Sequence, residues 1–447
     1  MAEYGLVLAG GGARGSYEIG VWRALREMNI KITAITGTSV GALNGAVMVQ
    51  DDFDKAYKLW DSLAIKDVIR FQKEIDSIHD LYKYPIDLFP AIREAIYAGG
   101  LDTAPLSKLI ASIIDEDKIR NSPIDFGLVT FSLSKLKPIE LFKEDIPKGQ
   151  LIDYLLASSC FPSFRPVEID DDRFIDGGIY NNVPISLMVQ KEIENIIVVD
   201  ISNNGIPKDV DVTGLNIIHI KPSESVGAKL DFNTKQSRLN MDIGYLDTLR
   251  AMGKVCGNIY YIKEIPDRGF RDIYIDYMAL KTIYSLLGID RKDKFLPINR
   301  MIISKVYTSL QGNMLEYIFT KKGARIALLI SMAEIAAQEL KIERKAIYSF
   351  RNLNDLMLDK CNKILNTREF DHYTDQLLMS IANIKESDII DVIINMPVTM
   401  GFLPLLLSNP KLKGEHIVYL RRVVAMTMPN ISIASIYIYL LMHIKEL

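Results

Sequence analysis

The sequence predicts an α/β fold with a mostly parallel central sheet in three layers, followed by an all-helical C-terminal domain. Two observations carry this. From Tyr4 to about Lys263, short β-branched runs alternate with helical patterns, the order a parallel sheet with crossover helices requires. Beyond that point glycine turns and β-branched runs thin out, and helical periodicity takes over in 301–310, 324–340 and 353–365. The expected domains are therefore 1–263 and 264–447.

Strands are expected near 4–9, 32–36, 124–132, 137–142, 195–201 and 215–221. Ile196-Ile197-Val198-Val199 is a β-branched run of the kind a strand buried on both faces shows. Helices are expected at 15–28, 40–50 and 182–192. The stretch 52–120 carries several helical patterns between the second and third strands and is long for a crossover. It reads as a helical insertion, either packed against the domain or capping a cleft.

At 447 residues, 49% of them hydrophobic, the chain has material for two cores. A net charge of −3 offers nothing that calls for nucleic acid. Cys160, Cys256 and Cys361 are odd in number and widely spaced, which suggests neither a disulfide framework nor a metal site and fits a reducing cytoplasmic compartment. The first residues carry an acid, Glu3, where a secretion signal would carry basic groups, so export by such a signal is not expected. Of two apolar stretches near the C-terminus, 389–407 contains Asp391, Asn395, Pro397 and Pro404, and 431–442 falls short of the ~20 residues a spanning helix needs. Both read as buried helices or an interfacial patch.

Chemistry enters with two glycine turns, each placed after an apolar run and before a helix. The first is Gly10-Gly11-Gly12-Ala13-Arg14-Gly15 and the second Gly37-Thr38-Ser39-Val40-Gly41. A serine on a tight strand-to-helix turn protrudes, and glycines two positions to either side let neighbouring backbone approach. The helix beginning near Val40 turns its free N–H groups toward developing negative charge. Acyl transfer needs both features: an exposed hydroxyl and preorganised donors for the oxyanion.

Gly10, Gly12 and Gly15 also satisfy the dinucleotide fingerprint. That reading needs an acidic residue roughly 20 positions further on, at the end of the second strand. The chain there reads Ile35-Thr36-Gly37-Thr38-Ser39, so the second anchor is missing. A P-loop lacks its Lys-Ser/Thr.

A serine also needs a proton acceptor. Asp176-Gly177-Gly178, alone an ordinary turn signal, offers a carboxylate whose glycine neighbours let it sit tightly against another loop.

Taken in this order, the three motifs resemble the patatin-like phospholipases, lipid acyl hydrolases built around a Ser-Asp dyad. Ala157-Ser158-Ser159-Cys160-Phe161-Pro162 and Asn182-Val183-Pro184 add to the likeness, which covers roughly residues 4–260. The resemblance implies a three-layer patatin-like domain with Ser39 as nucleophile and Asp176 as base. It implies an oxyanion loop of Gly10, Gly11, Gly12, Ala13, Arg14 and Gly15, with backbone N–H groups around Gly11, Gly12 and Ala13 as donors. Gly37, Thr38, Val40 and Gly41 become the nucleophile elbow, and Gly177 and Gly178 the dyad loop. Arg14 either braces its loop or meets a substrate phosphate.

The expected activity is hydrolysis of lipid esters through an acyl-serine intermediate, of phospholipase A or lysophospholipase type, with no metal and no organic cofactor. The expected partner is membrane or micellar lipid, reached by a cytoplasmic protein with peripheral membrane contact. Of five histidines, His79, His219, His372, His416 and His443, only His219 fits the chain order of a Ser-Asp-His triad, and it lies in a strand interior. In the helical half, Arg291, Lys292, Lys321, Lys322, Arg325, Arg421 and Arg422 read as solvated faces, or more sharply as attractors of anionic headgroups. That half is a candidate surface for gating, a regulatory partner or a second copy of the chain. A second reading makes the α/β domain a retained scaffold and the helical half a binding module.

Overall fold

The computed structural model describes residues 2–70, 100–202, 205, 210–263, 277–290, 296–312, 321–382 and 401–443, without side chains at 277–280, 311–312 and 321–326. The chain divides into two compact units, Met1–Gly253 and Lys254–Leu447.

The first unit is built on eight strands: β1 (Glu3–Leu8), β2 (Lys31–Thr38), β3 (Asp125–Ser132), β4 (Lys137–Phe142), β5 (Val167–Ile169), β6 (Asp172–Asp176), β7 (Asn195–Val199) and β8 (Asn216–Ile220). Five of them lie parallel in the order β3-β2-β1-β7-β8, while β4 and β6 pair antiparallel with β3 and β5 pairs antiparallel with β6. Central strands must be apolar on both faces when helices cover both. Accordingly Leu6, Val7 and Leu8 of β1 and Ile196 to Val199 of β7 are at most 1% exposed.

The helices of this unit are α1 (Ser16–Glu27), α2 (Val40–Val49), α3 (Phe53–Ser62), α4 (Ala104–Ile113), α5 (Glu116–Asn121), α6 (Leu151–Ser158), α7 (Ile185–Gln190) and α8 (Thr234–Ala251). The expected strands all form. The sequence reading held no strand at 167–176, so the β5–β6 hairpin is an addition to it. In the stretch 52–120, α3, α4 and α5 are present, and 71–99 lies outside the described residues.

β1 has β2 on one side and β7 on the other, so the strand order runs away from it in both directions. In open parallel sheets the loops at the carboxyl ends of such strands frame a crevice. The two glycine turns follow β1 and β2 into that place.

Among its described residues the second unit is helical apart from a two-stranded parallel ladder between β9 (Tyr261–Lys263) and β10 (Ile347–Ser349). Sequence reading placed 261–263 with the first domain, whereas its strand partner lies in the second unit. Arg421, read from sequence as a surface cation, is a correction: it is 2% exposed and donates to the carbonyls of Leu407 and Asn409. Arg422 donates to Gly288 O at 2.7 Å. Arg291 and Lys292, like most of 389–407, lie outside the described residues, as do the side chains of Lys321, Lys322 and Arg325.

Among the described residues no single helix is long and apolar enough to cross a membrane. The pair Glu415–Thr427 and Pro429–His443, bent by 119°, passes that test only when taken together. Ile433, Ala434, Tyr437 and Ile438 of the second helix are 0% exposed, as in an internal helix.

Candidate active site

Ser39 caps α2 with φ 58° and ψ −129°. A non-glycine residue at positive φ is costly and needs its surroundings to hold it. Here the clamp is visible. The Ser39 N–H donates to Ser158 Oγ at 3.1 Å, and Ser158 Oγ–H donates to Val129 O at 2.7 Å, so α6 and β3 together fix the elbow. Thr38 Oγ1–H donates to Asn181 O at 2.8 Å. Gly37 and Gly41 are where the chain crosses itself. A Cβ on Gly37 would stand 2.3 Å from the Gly41 carbonyl, and one on Gly41 would stand 2.3 Å from Leu8 O.

Asp176 ends β6 and is 5% exposed. Its Oδ1 accepts the Gly178 N–H at 2.7 Å. Burial raises its pKa above the ordinary carboxylate value, opposed by the Ser39 hydroxyl, the Gly178 N–H and the charge of Lys229. Serine and aspartate thus line one cavity, and loss of water makes the carboxylate more basic.

The glycine loop needs a correction. Sequence reading offered the N–H groups around Gly11, Gly12 and Ala13 as donors, but Ala13 N–H already donates to Lys229 O at 2.7 Å and Gly10 N–H to Asn182 O at 3.1 Å. Gly11 and Gly12 N–H remain without a partner among the described residues, and both residues line the cavity in front of Ser39. Arg14 does not line that cavity. Its Nε–H donates to Gly227 O at 2.9 Å and its Nη1 to Ile201 O at 3.4 Å, which makes it a brace of the loop. Gly15 lies beneath the loop, where its carbonyl accepts from Asn44 Nδ2.

In front of the serine opens a cavity of about 200 Å³. Helix α2 lines it with Val40, Leu43, Asn44 and Val47, a one-face spacing. Helix α3 adds Leu59 and Trp60, and α4 adds Leu106, Leu109, Ile110 and Ile113. The described helices of the 52–120 stretch therefore wall the cavity. Ser39, Asp176, Ile179 and Lys229 line it as well.

Three residues at the site carried no role in the sequence reading. Ser158 sat in a quoted motif without a role. Lys229 lies in an unremarkable loop whose only signal was its basic charge. Asn44 stood in the expected helix 40–50 without a role. His219 lies in β8 with Nε2 3.8 Å from Asp200 Oδ2, and no described histidine lines the cavity; His79 is outside the described residues. Among the described residues no group of His, Cys, Asp and Glu could hold a metal ion.

A mixed α/β sheet with a serine elbow and a glycine loop at its carboxyl edge defines a class of protein, and comparison supplies its likeness: residues 6–189 match the patatin-like phospholipase family. The lysophospholipase nte1 of Aspergillus terreus is 29% identical over 202 residues, which is 44% of this chain and 12% of that protein. The patatin-like phospholipase domain-containing protein ZK370.4 of Caenorhabditis elegans is 28% identical over 187 residues, 41% of this chain and 12% of the relative. The chain thus matches only about an eighth of the length of these curated relatives. The crystal structure of VipD from Legionella pneumophila aligns over 81% of this chain and 86% of its own, with a TM-score of 0.36 and 15% identity.

Proposed function

We propose that the first unit hydrolyses carboxylic esters of lipids, of phospholipase A or lysophospholipase type. One observation carries the reading. A strained serine and a buried carboxylate line the same cavity, together with Gly11 and Gly12, whose backbone N–H groups are unengaged among the described residues.

An acyl chain leaves water for the cavity, gaining roughly 0.8 kcal/mol per buried CH₂. Its ester carbonyl then lies over Ser39. Oγ attacks the carbonyl carbon while the hydroxyl proton passes to Asp176, and the oxyanion is received by the Gly11 and Gly12 N–H groups and the N-terminus of α2. Collapse expels the alcohol, which takes the proton from Asp176 and leaves an acyl-serine. Water, deprotonated by Asp176, attacks the acyl-serine; collapse releases the fatty acid, and Ser39 Oγ takes the proton back from Asp176. No step calls for a metal or an organic cofactor. The setting proposed is cytoplasmic, with peripheral contact at a lipid surface.

The test is a fluorophosphonate probe with a long-chain ester assay. Wild type labels at Ser39 and turns over. Ser39→Ala does neither, and Asp176→Asn loses about 10³-fold or more in kcat with its fold intact. Unlabelled, inactive wild type overturns the hydrolase and favours a scaffold, whereas an active Asp176→Asn variant overturns the dyad alone.

A further inference from the structure

We infer that Lys229 is a headgroup site, and that the enzyme prefers lipid esters carrying a phosphate on the alcohol side of the scissile bond. This rests on the proposed hydrolase reading and specifies its substrate. Two basic side chains line the cavity among the described residues, Lys55 and Lys229. They are placed for different work. Lys55 Nζ donates to the Ser112 and Ile113 carbonyls at 3.0 and 3.3 Å, neutralising the C-terminal end of α4. Arg14, the basic group within the glycine loop, is spent on the carbonyls of Gly227 and Ile201. The Lys229 ammonium is exposed and makes no ion pair or hydrogen bond among the described residues.

Its position is fixed by its own backbone. Lys229 O accepts the Ala13 N–H at 2.7 Å, and the same oxygen would lie 2.1 Å from a Cβ on Gly12, a residue at φ +60°. The lysine is therefore anchored on the glycine loop itself, and its charge is felt at Asp176. With the acyl chain committed to the apolar wall and the carbonyl over Gly11 and Gly12, the alcohol half of the ester must leave toward the exposed end. A free ammonium there suits an anion one glycerol away from the reacting carbon. Charge-assisted contacts of this kind are the strong ones.

A minimal pair tests the inference: 1-acylglycerol 3-phosphate against 1-acylglycerol with the same acyl chain, both presented as monomers at one pH to the full chain. The readout is the ratio of their kcat/KM values. Using the ratio cancels the change that loss of the Lys229 charge makes at Asp176, since that change reaches both substrates. Wild type favours the phosphate ester. Lys229→Met lowers the ratio about ten-fold or more, mainly through KM, and Lys229→Arg restores most of it. An unchanged ratio in Lys229→Met overturns the inference while leaving the hydrolase standing; wild type that cleaves neither ester overturns the hydrolase itself.

Inorganic phosphate at millimolar concentration, added to the 1-acylglycerol assay, separates the two sources of a phosphate group. No effect supports a headgroup site. Inhibition that vanishes in Lys229→Met marks a free-anion site and overturns the headgroup assignment.

Discussion

Asn182 and Gly10 exchange two hydrogen bonds. Gly10 N–H donates to Asn182 O, and Asn182 Nδ2 donates to Gly10 O, each at 3.1 Å. The pair ties the start of the glycine loop to the segment just after Asp176. Beside it, Thr38 ties the serine elbow to Asn181, so three motifs far apart in the chain share one frame. Asn182→Ala removes half of the exchange. It is expected to lower kcat on a long-chain ester about ten-fold while costing only about 1 kcal/mol of stability. Steady-state kinetics beside a denaturant titration checks both, and an unchanged kcat would show that the loop holds its place without this bond.

The Asp176 carboxyl sits above its ordinary value because burial outweighs its partners. The base must be ionised, so kcat/KM falls as pH falls through that raised value, not through the ordinary 3.8. Stability follows the opposite sense. Between 3.8 and the raised folded value the unfolded chain releases the proton and the folded chain keeps it, so rising pH erodes the contribution of this residue. Asp176→Asn is therefore expected to be inactive yet higher in Tm at neutral pH, with the gain shrinking toward pH 3.8. Melting curves across that range decide it.

Glu18 shows the same linkage in stronger form. It is 0% exposed, accepts from Asn44 Nδ2 at 2.7 Å through Oε2, and its Oε1 has no hydrogen-bond partner among the described residues. Burial pushes its carboxyl from 4.5 up to about 8. The stability it contributes is present in full below 4.5 and is lost as pH rises through 8. Wild-type Tm should decline across this window, and Glu18→Gln should flatten the decline. Parallel slopes in the two proteins would show that Glu18 does not keep its proton.

How much of this was readable from the chain depends on how local each cause is. The glycine turns were legible because their geometry is written into adjacent residues: Gly37 and Gly41 must lack side chains wherever a strand turns sharply into a helix. The β5–β6 hairpin that carries Asp176 was not, because three-residue Val167–Ile169 is too short to show an alternating pattern and its pairing with β3 is a tertiary matter. The loss of Ala13 as an oxyanion donor was equally hidden. It turns on the carbonyl of Lys229, over two hundred residues away, and nothing near Ala13 signals it. The apolar stripe Val40, Leu43 and Val47 was visible but identical in pattern to a core-facing stripe, so only the empty space before it shows its use.

That stripe makes a prediction about chain length. Val40 and Val47 are seven residues apart on α2, roughly 10 Å along the axis, so Val47 stands well away from the serine. Val47→Phe should shorten the cavity without crowding the reacting end. With p-nitrophenyl esters from butanoyl to palmitoyl, the long-to-short ratio of kcat/KM is expected to fall about ten-fold, since pocket fit discriminates by about this factor per methylene group. An unchanged ratio would place the acyl chain elsewhere.

The elbow makes the last prediction, because Ser39 holds φ 58° and ψ −129°, a conformation that only glycine adopts freely. An alanine there keeps the Cβ and the strain, while glycine relieves it. Both variants lose the nucleophile, so neither should label with a fluorophosphonate. Their stabilities should differ, with Ser39→Gly exceeding Ser39→Ala by about 1 kcal/mol or more, the cost of one residue held in a sparsely populated region. Part of this gap is offset by the greater freedom of glycine in the unfolded chain, about half a kcal/mol. A gap of the expected sign means the fold stores strain at the position where the hydroxyl must protrude. Equal stabilities would mean that the Ser158 and Thr38 hydrogen bonds relieve the elbow on their own.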